Sequence, residues 1–133
     1  MKTLTLFLSL FLVPYSIHAQ FESGESVLIS EDMPDDLYAA GGEVQVSAKV
    51  DGDLLATGGQ VSVSDSIGQD LTIAGGSVQI FGAIGDDLRC AGGELNINST
   101  VRDDAVIFGG DIHIGPDAVI AGDLIIFGGT IHV

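Results

Sequence analysis

Six aspartates at a regular interval are the residues of this chain best placed to do chemistry: Asp36, Asp53, Asp70, Asp87 and Asp104, with Asp123 after a slightly longer step. Asp35, Asp51, Asp86 and Asp103 stand beside them. Carboxylates stacked at strand spacing, about 4.8 Å, repel one another, and a divalent cation such as calcium would relieve that repulsion with oxygen ligands. The calcium-binding solenoid repeat, however, is a nonapeptide of the form GGxGxDxUx, which these units do not share. Aspartate also opens turns by accepting bonds from backbone N–H groups, which accounts for one Asp per unit without any metal. The turn role is the simpler of the two. His113 and His132 occupy one repeat position and could share a metal, but with no third ligand in view an exposed polar ladder is the favoured reading. Cys90 is the sole cysteine, and its column neighbours Ile73, Ile107 and Ile126 place it inside as an inert small hydrophobe. No His stands at nucleophile spacing from a Ser or Cys, and no glycine-rich strand-to-helix loop offers a phosphate cradle. The hexapeptide repeats of left-handed β-helix acyltransferases and the flat threonine array of ice-binding solenoids are also missing. The expectation is a non-enzymatic protein without cofactor or dedicated metal.

The elements that carry these residues repeat with them. Gly-Gly recurs at Gly41-Gly42, Gly58-Gly59, Gly75-Gly76, Gly92-Gly93 and Gly109-Gly110, seventeen residues apart, and again at Gly128-Gly129. Superposed, the units read DLYAAGGEVQV from Asp36, DLLATGGQVSV from Asp53, DLTIAGGSVQI from Asp70 and DLRCAGGELNI from Asp87. Two more follow, DAVIFGGDIHI from Asp104 and DLIIFGGTIHV from Asp123. After each glycine pair apolar residues alternate with polar ones, the period of a half-buried strand, and β-branched residues fill the inward places. The pattern predicts an all-β fold: a single-stranded, three-sided parallel β-helix of about six 17-residue coils, with glycines at corners that need positive φ or close backbone approach. The inward columns are Val27, Val44, Val61, Val78, Leu95, Ile112, Ile131 and Ile29, Val46, Val63, Ile80, Ile97, Ile114, Val133. A third begins at Leu37, and a connector column runs Val50, Ile67, Ile84, Val101 and Ile120. Residues 20–34 are expected to be a lead-in with a partial first coil, and residues 35–133 the repeats.

Residues 1–19 differ from the rest. Lys2, an apolar run from Leu4 to Val13, Pro14 and the small Ala19 form the pattern of a secretory signal peptide cut before Gln20. That places the mature chain in the periplasm, outside the cell or in the envelope. The net charge is −15, and beyond Lys2 only Lys49, Arg89 and Arg102 are basic against nineteen acids. Such a surface disfavours nucleic acid and anionic lipid as partners.

The last two units break the outward pattern. Val106, Phe108, Ile125 and Phe127 stand where earlier units carry Tyr38, Ala40, Thr72, Ala74, Arg89 and Ala91. Loss of alternation predicts a covered face, against another envelope protein or a membrane surface. The sequence stops at Val133 in mid-coil with no polar cap, and an uncapped coil is a template for pairing with another chain.

Units of the form DLxxxGGxVxI joined by connectors such as VDGD and IGDD resemble the bactofilin family of polymer-forming cytoskeletal proteins. The segments DDLYAAGGEVQV at 35–46 and GPDAVIAGDLIIFGG at 115–129 are similar to its exported branch, and the resemblance covers residues 27–133. It implies a right-handed β-helix that polymerises with itself end to end, without nucleotide, as a scaffold. The assembly surfaces it implies are Val27 and Ile29 at one end and Ile131 and Val133 at the other. Exported relatives often carry transmembrane helices after the repeats; this sequence contains none.

Overall fold

Where a short polar–apolar alternation repeats every seventeen residues, each unit has an apolar face that only the next unit can cover, so the chain must stack. In the computed structural model, which describes residues 19–133, it does so as a parallel β-solenoid with no helix among the described residues. Seven long strands form one parallel sheet in sequence order: β1 (Gln20–Ile29), β2 (Leu37–Val46), β3 (Leu54–Val63), β4 (Leu71–Ile80), β5 (Leu88–Ile97), β7 (Ala105–Ile114) and β9 (Leu124–His132). Two short strands, β6 (Thr100–Val101) and β8 (Val119–Ile120), pair with each other. The leader pattern in residues 1–18 lies outside the described residues.

The long strands bend in the middle. In β2 the inward residues are Leu37 and Ala39 before Gly41-Gly42 and Val44 and Val46 after it, so the alternation slips by one place across the glycines. Pairing slips there as well: Gly41 faces Gly58 and Glu43 faces Gln60, while Gly42 is passed over. One strand thereby supplies two sides of the solenoid. The third side is thin, a run of single bridges from Met33 through Val50, Ile67 and Ile84 to Val101, continued by Val101 opposite Ile120. No glycine has positive φ. Of the two reasons for a corner glycine, close approach is the one at work: a Cβ on Gly75 would lie 2.7 Å from the Gly58 carbonyl oxygen one coil below.

The core is the set of columns that this register stacks. Leu37, Leu54, Leu71 and Leu88 lie one above another, as do Val44, Val61, Val78, Leu95 and Ile112, all fully or nearly fully buried. Each such aliphatic side chain contributes about 1.5–3 kcal/mol by leaving water. Cys90 sits among them between Ile73 and Ile107, and burial pushes its thiol pKa up to about 12, so it is held as a neutral hydrophobe.

One feature departs from the sequence-based expectation. The lead-in at 20–34 is a complete long strand: β1 pairs with β2 from Gln20 opposite Leu37 to Ile29 opposite Val46, so seven coils stack instead of about six. The reading missed it because Gln20 and Glu22 occupy the inward places of Leu37 and Ala39, and a single Gly24 stands where later units have a pair. The two-residue insertion before β9 does not disturb the register. It is taken up at Gly115–Ala118, where the Asn98 Oδ1 accepts the Asp117 N–H at 2.9 Å.

Candidate interaction surfaces

The aspartate column begins each coil at the corner leading into a long strand. There the backbone ladder leaves one N–H per coil to be satisfied, and the carboxylate one coil earlier accepts it. Asp53 N–H donates to Asp36 Oδ1 at 2.8 Å, Asp70 N–H to Asp53 Oδ1 at 2.9 Å and Asp87 N–H to Asp70 Oδ1 at 3.0 Å. Asp104 and Asp123 continue the chain of bonds at 3.1 and 2.8 Å. Alongside them, Leu37 N–H donates to the Asp53 carbonyl and Leu54 N–H to that of Asp70, each at 2.9 Å. The column therefore serves the backbone, as the turn reading expects, with its donors one coil away instead of within the turn. Arg89 spans two of the outer oxygens, 3.7 Å from Asp70 Oδ2 and 3.5 Å from Asp87 Oδ2. Asp103 lies near Asp104, Asp87 and Asp86; repulsion, chiefly from Asp104, raises its carboxyl pKa above the ordinary value.

The side of the solenoid formed by the first halves of the long strands carries the apolar residues. Phe108 and Phe127 face each other across β7 and β9 with ring centroids 5.3 Å apart and planes 9° from parallel. Phe127 and Ile125 are exposed, Phe108 is about half exposed and Val106 is half-buried. The column of Val106 and Ile125 holds exposed Phe21, Tyr38 and Leu55 at the other end, with Thr72 and Arg89 between the two groups. Phe21 escaped the sequence reading with the rest of β1. Its signal was the register itself, seventeen residues before Tyr38.

At the ends, the four residues named from the resemblance are placed differently from one another. Val27 and Ile29 are buried, 7% and 4% exposed, and stack on Val44 and Val46 of β2. Ile131 is 41% exposed and Val133 fully so, and Leu124 is 46% exposed. The free edge of β9 thus presents, in solvent, the columns that interior coils bury. In the first half of β1 the equivalent inward places are polar, with Gln20 Nε2 donating to Glu22 Oε1 at 2.8 Å, while Val27 and Ile29 keep the second half apolar.

On the side formed by the second halves, the outward column of Gln45, Ser62, Gln79 and Asn96 ends in His113 and His132. Their rings stack with centroids 4.5 Å apart and planes 9° from parallel. Asp111, two residues before His113 and so on the same face, places Oδ1 3.4 Å from Nε2 of each ring. Asp111 is thus a third side chain beside the two imidazoles, one not singled out from the sequence alone. Its signal was Asp-x-His within one strand, the spacing that puts both side chains on one face.

No protein-family model, curated protein or solved structure matches this chain.

Proposed function

We propose that this chain is a non-enzymatic scaffold of the bactofilin kind, exported to the cell envelope, that associates with copies of itself end to end through its terminal coils and without nucleotide. The observation that carries the reading is the translational sameness of the coils. Seven long strands pair in one register, so the upper edge of any coil is complementary to the lower edge of another. The β9 edge offers that interface open, with Leu124 and Ile131 exposed and its outward N–H and C=O groups available to a further parallel strand. A contact from the β9 edge of one copy to the β1 edge of the next is heterologous and does not close, so it propagates as a filament. Electron microscopy and sedimentation of residues 20–133, which contain every described coil, test this. Filaments or oligomers that grow with concentration are expected, and a monomer at every concentration overturns the proposal.

One observation favours a second reading, an envelope docking module: the stacked, exposed Phe108–Phe127 pair with Ile125 beside it. Exposed aromatic surface of this kind suits a partner protein or membrane surface. Replacing both Phe residues with Ser is then expected to abolish partner binding while sparing end-to-end growth; loss of growth instead assigns the face to self-association.

A further inference from the structure

We propose that Asp111, His113 and His132 form a binding site for a divalent transition-metal ion, with zinc the ion their chemistry fits best. The site follows from register alone. Period two puts Asp111 and His113 on one outward face of β7, and the parallel pairing of β7 with β9 sets His132 directly opposite His113.

The distances suit a shared cation better than a hydrogen bond. An N–H···O bond has its usual length near 2.9–3.0 Å, whereas both imidazole Nε2 atoms stand 3.4 Å from the Asp111 Oδ1. Zinc holds nitrogen and oxygen ligands at about 2.0–2.1 Å in tetrahedral array, so any two ligand atoms lie roughly 3.3–3.4 Å apart. Two of the three edges, those from Oδ1 to each Nε2, have the spacing of such a tetrahedron. All three atoms lie within 4.8 Å of one another, and the stacked rings must tilt toward each other for both nitrogens to reach one ion. Although about half of the Asp111 side chain is exposed, Oδ1 itself is shielded from solvent and accepts no hydrogen bond. A carboxylate oxygen shielded from water and without a well-formed hydrogen bond favours positive charge beside it, supplied by a metal ion or by protonation of the two imidazoles.

The donor set decides which cation. Two imidazoles and one carboxylate suit zinc, copper or nickel and discriminate against calcium and magnesium, which prefer all-oxygen shells. The all-carboxylate clusters elsewhere, Asp70 with Asp86 and Asp87, and Asp87 with Asp103 and Asp104, have the opposite preference. Three protein ligands leave one position of a tetrahedral ion to water or to a donor from another molecule. Because the ligands come from adjacent coils, a bound ion would also clamp the edge strand β9 to β7. The site does not depend on self-association.

Untagged residues 20–133 are the material for the test, since the remaining histidine, His18, is excluded and only His113 and His132 report. Titration with zinc chloride, followed by calorimetry and by the imidazole proton resonances, is expected to show one ion per chain with both rings shifting together. His113→Ala, His132→Ala and Asp111→Ala are each expected to weaken binding at least roughly ten-fold, since removing even an outer-shell partner typically costs that much. All three side chains point outward, so circular dichroism should be unchanged. Calcium in large excess should not displace the zinc, whereas Asp87→Asn should leave it bound. The proposal is overturned if zinc fails to bind, if binding survives loss of both imidazoles, or if calcium competes as an equal.

Discussion

Asp53 serves two coils at once: its N–H donates to Asp36 Oδ1, and its own Oδ1 accepts from Asp70 N–H. Asp53→Ala strands the Asp70 N–H in a half-buried corner and is expected to cost about 1–2 kcal/mol. Asp53→Asn keeps an acceptor and should stay within about 0.5 kcal/mol of the parent; denaturant melts of both variants check the pair. A ligand role predicts the reverse order of importance for charge, with Asn as damaging as Ala. Asp103 illustrates the cost of crowding. Its folded pKa is raised, chiefly by Asp104, so the native chain binds this proton more tightly than the unfolded chain does. The group therefore favours folding in acid, and that contribution is lost as pH rises through the folded pKa, leaving repulsion at neutral pH. Asp103→Asn should raise the melting temperature at about pH 7 and leave it unchanged at about pH 3, below the ordinary carboxylate range. The Asp column was legible in the sequence because one residue type recurs in one place. The partner of each carboxylate was not, since it lies a whole coil away.

At the scale of the element, the glycine pair does a single job unevenly. A Cβ on Gly75 would meet the Gly58 carbonyl oxygen at 2.7 Å, and one on Gly76 would meet that of Gly59 at 3.0 Å. Both obstacles are backbone, but only the first lies closer than a Cβ can approach, so Gly75→Ala is expected to destabilise by about 1–3 kcal/mol, the range of overpacked cores. Gly76→Ala should cost clearly less, and thermal melts of the two variants decide the order. β2 to β5, β7 and β9 were legible because apolar alternation, glycine pair and Asp coincide in each. β1 lacks all but traces of that pattern: Gln20, Glu22 and Gly24 follow the register without the composition. Its strand is held by pairing with β2, a tertiary influence that local residue type does not reveal.

Across the whole molecule, the two ends of the stack are chemically unequal. The inward places of β1 begin with Gln20 and Glu22, while β9 exposes Leu124 and Ile131. If copies join through the β9 edge, Ile131→Asp places a charge in the contact and should shift sedimentation to monomer; the fold should survive, because Ile131 is already 41% exposed. Gln20→Leu with Glu22→Ala restores the column composition at the β1 edge and should lengthen the assemblies, as seen by electron microscopy. Unchanged size in both variants would remove the ends from the mechanism. By itself the sequence determined the solenoid, its seventeen-residue step and the inward columns, because a repeated local pattern has only one way to bury its apolar face. The tertiary structure alone decided which groups from different coils meet: Asp36 with the backbone of Asp53, Phe108 with Phe127, and Asp111 with His132. Those meetings depend on the exact stacking register and on the corner that re-aims each strand. Distances at such contacts are set by packing, not by residue order.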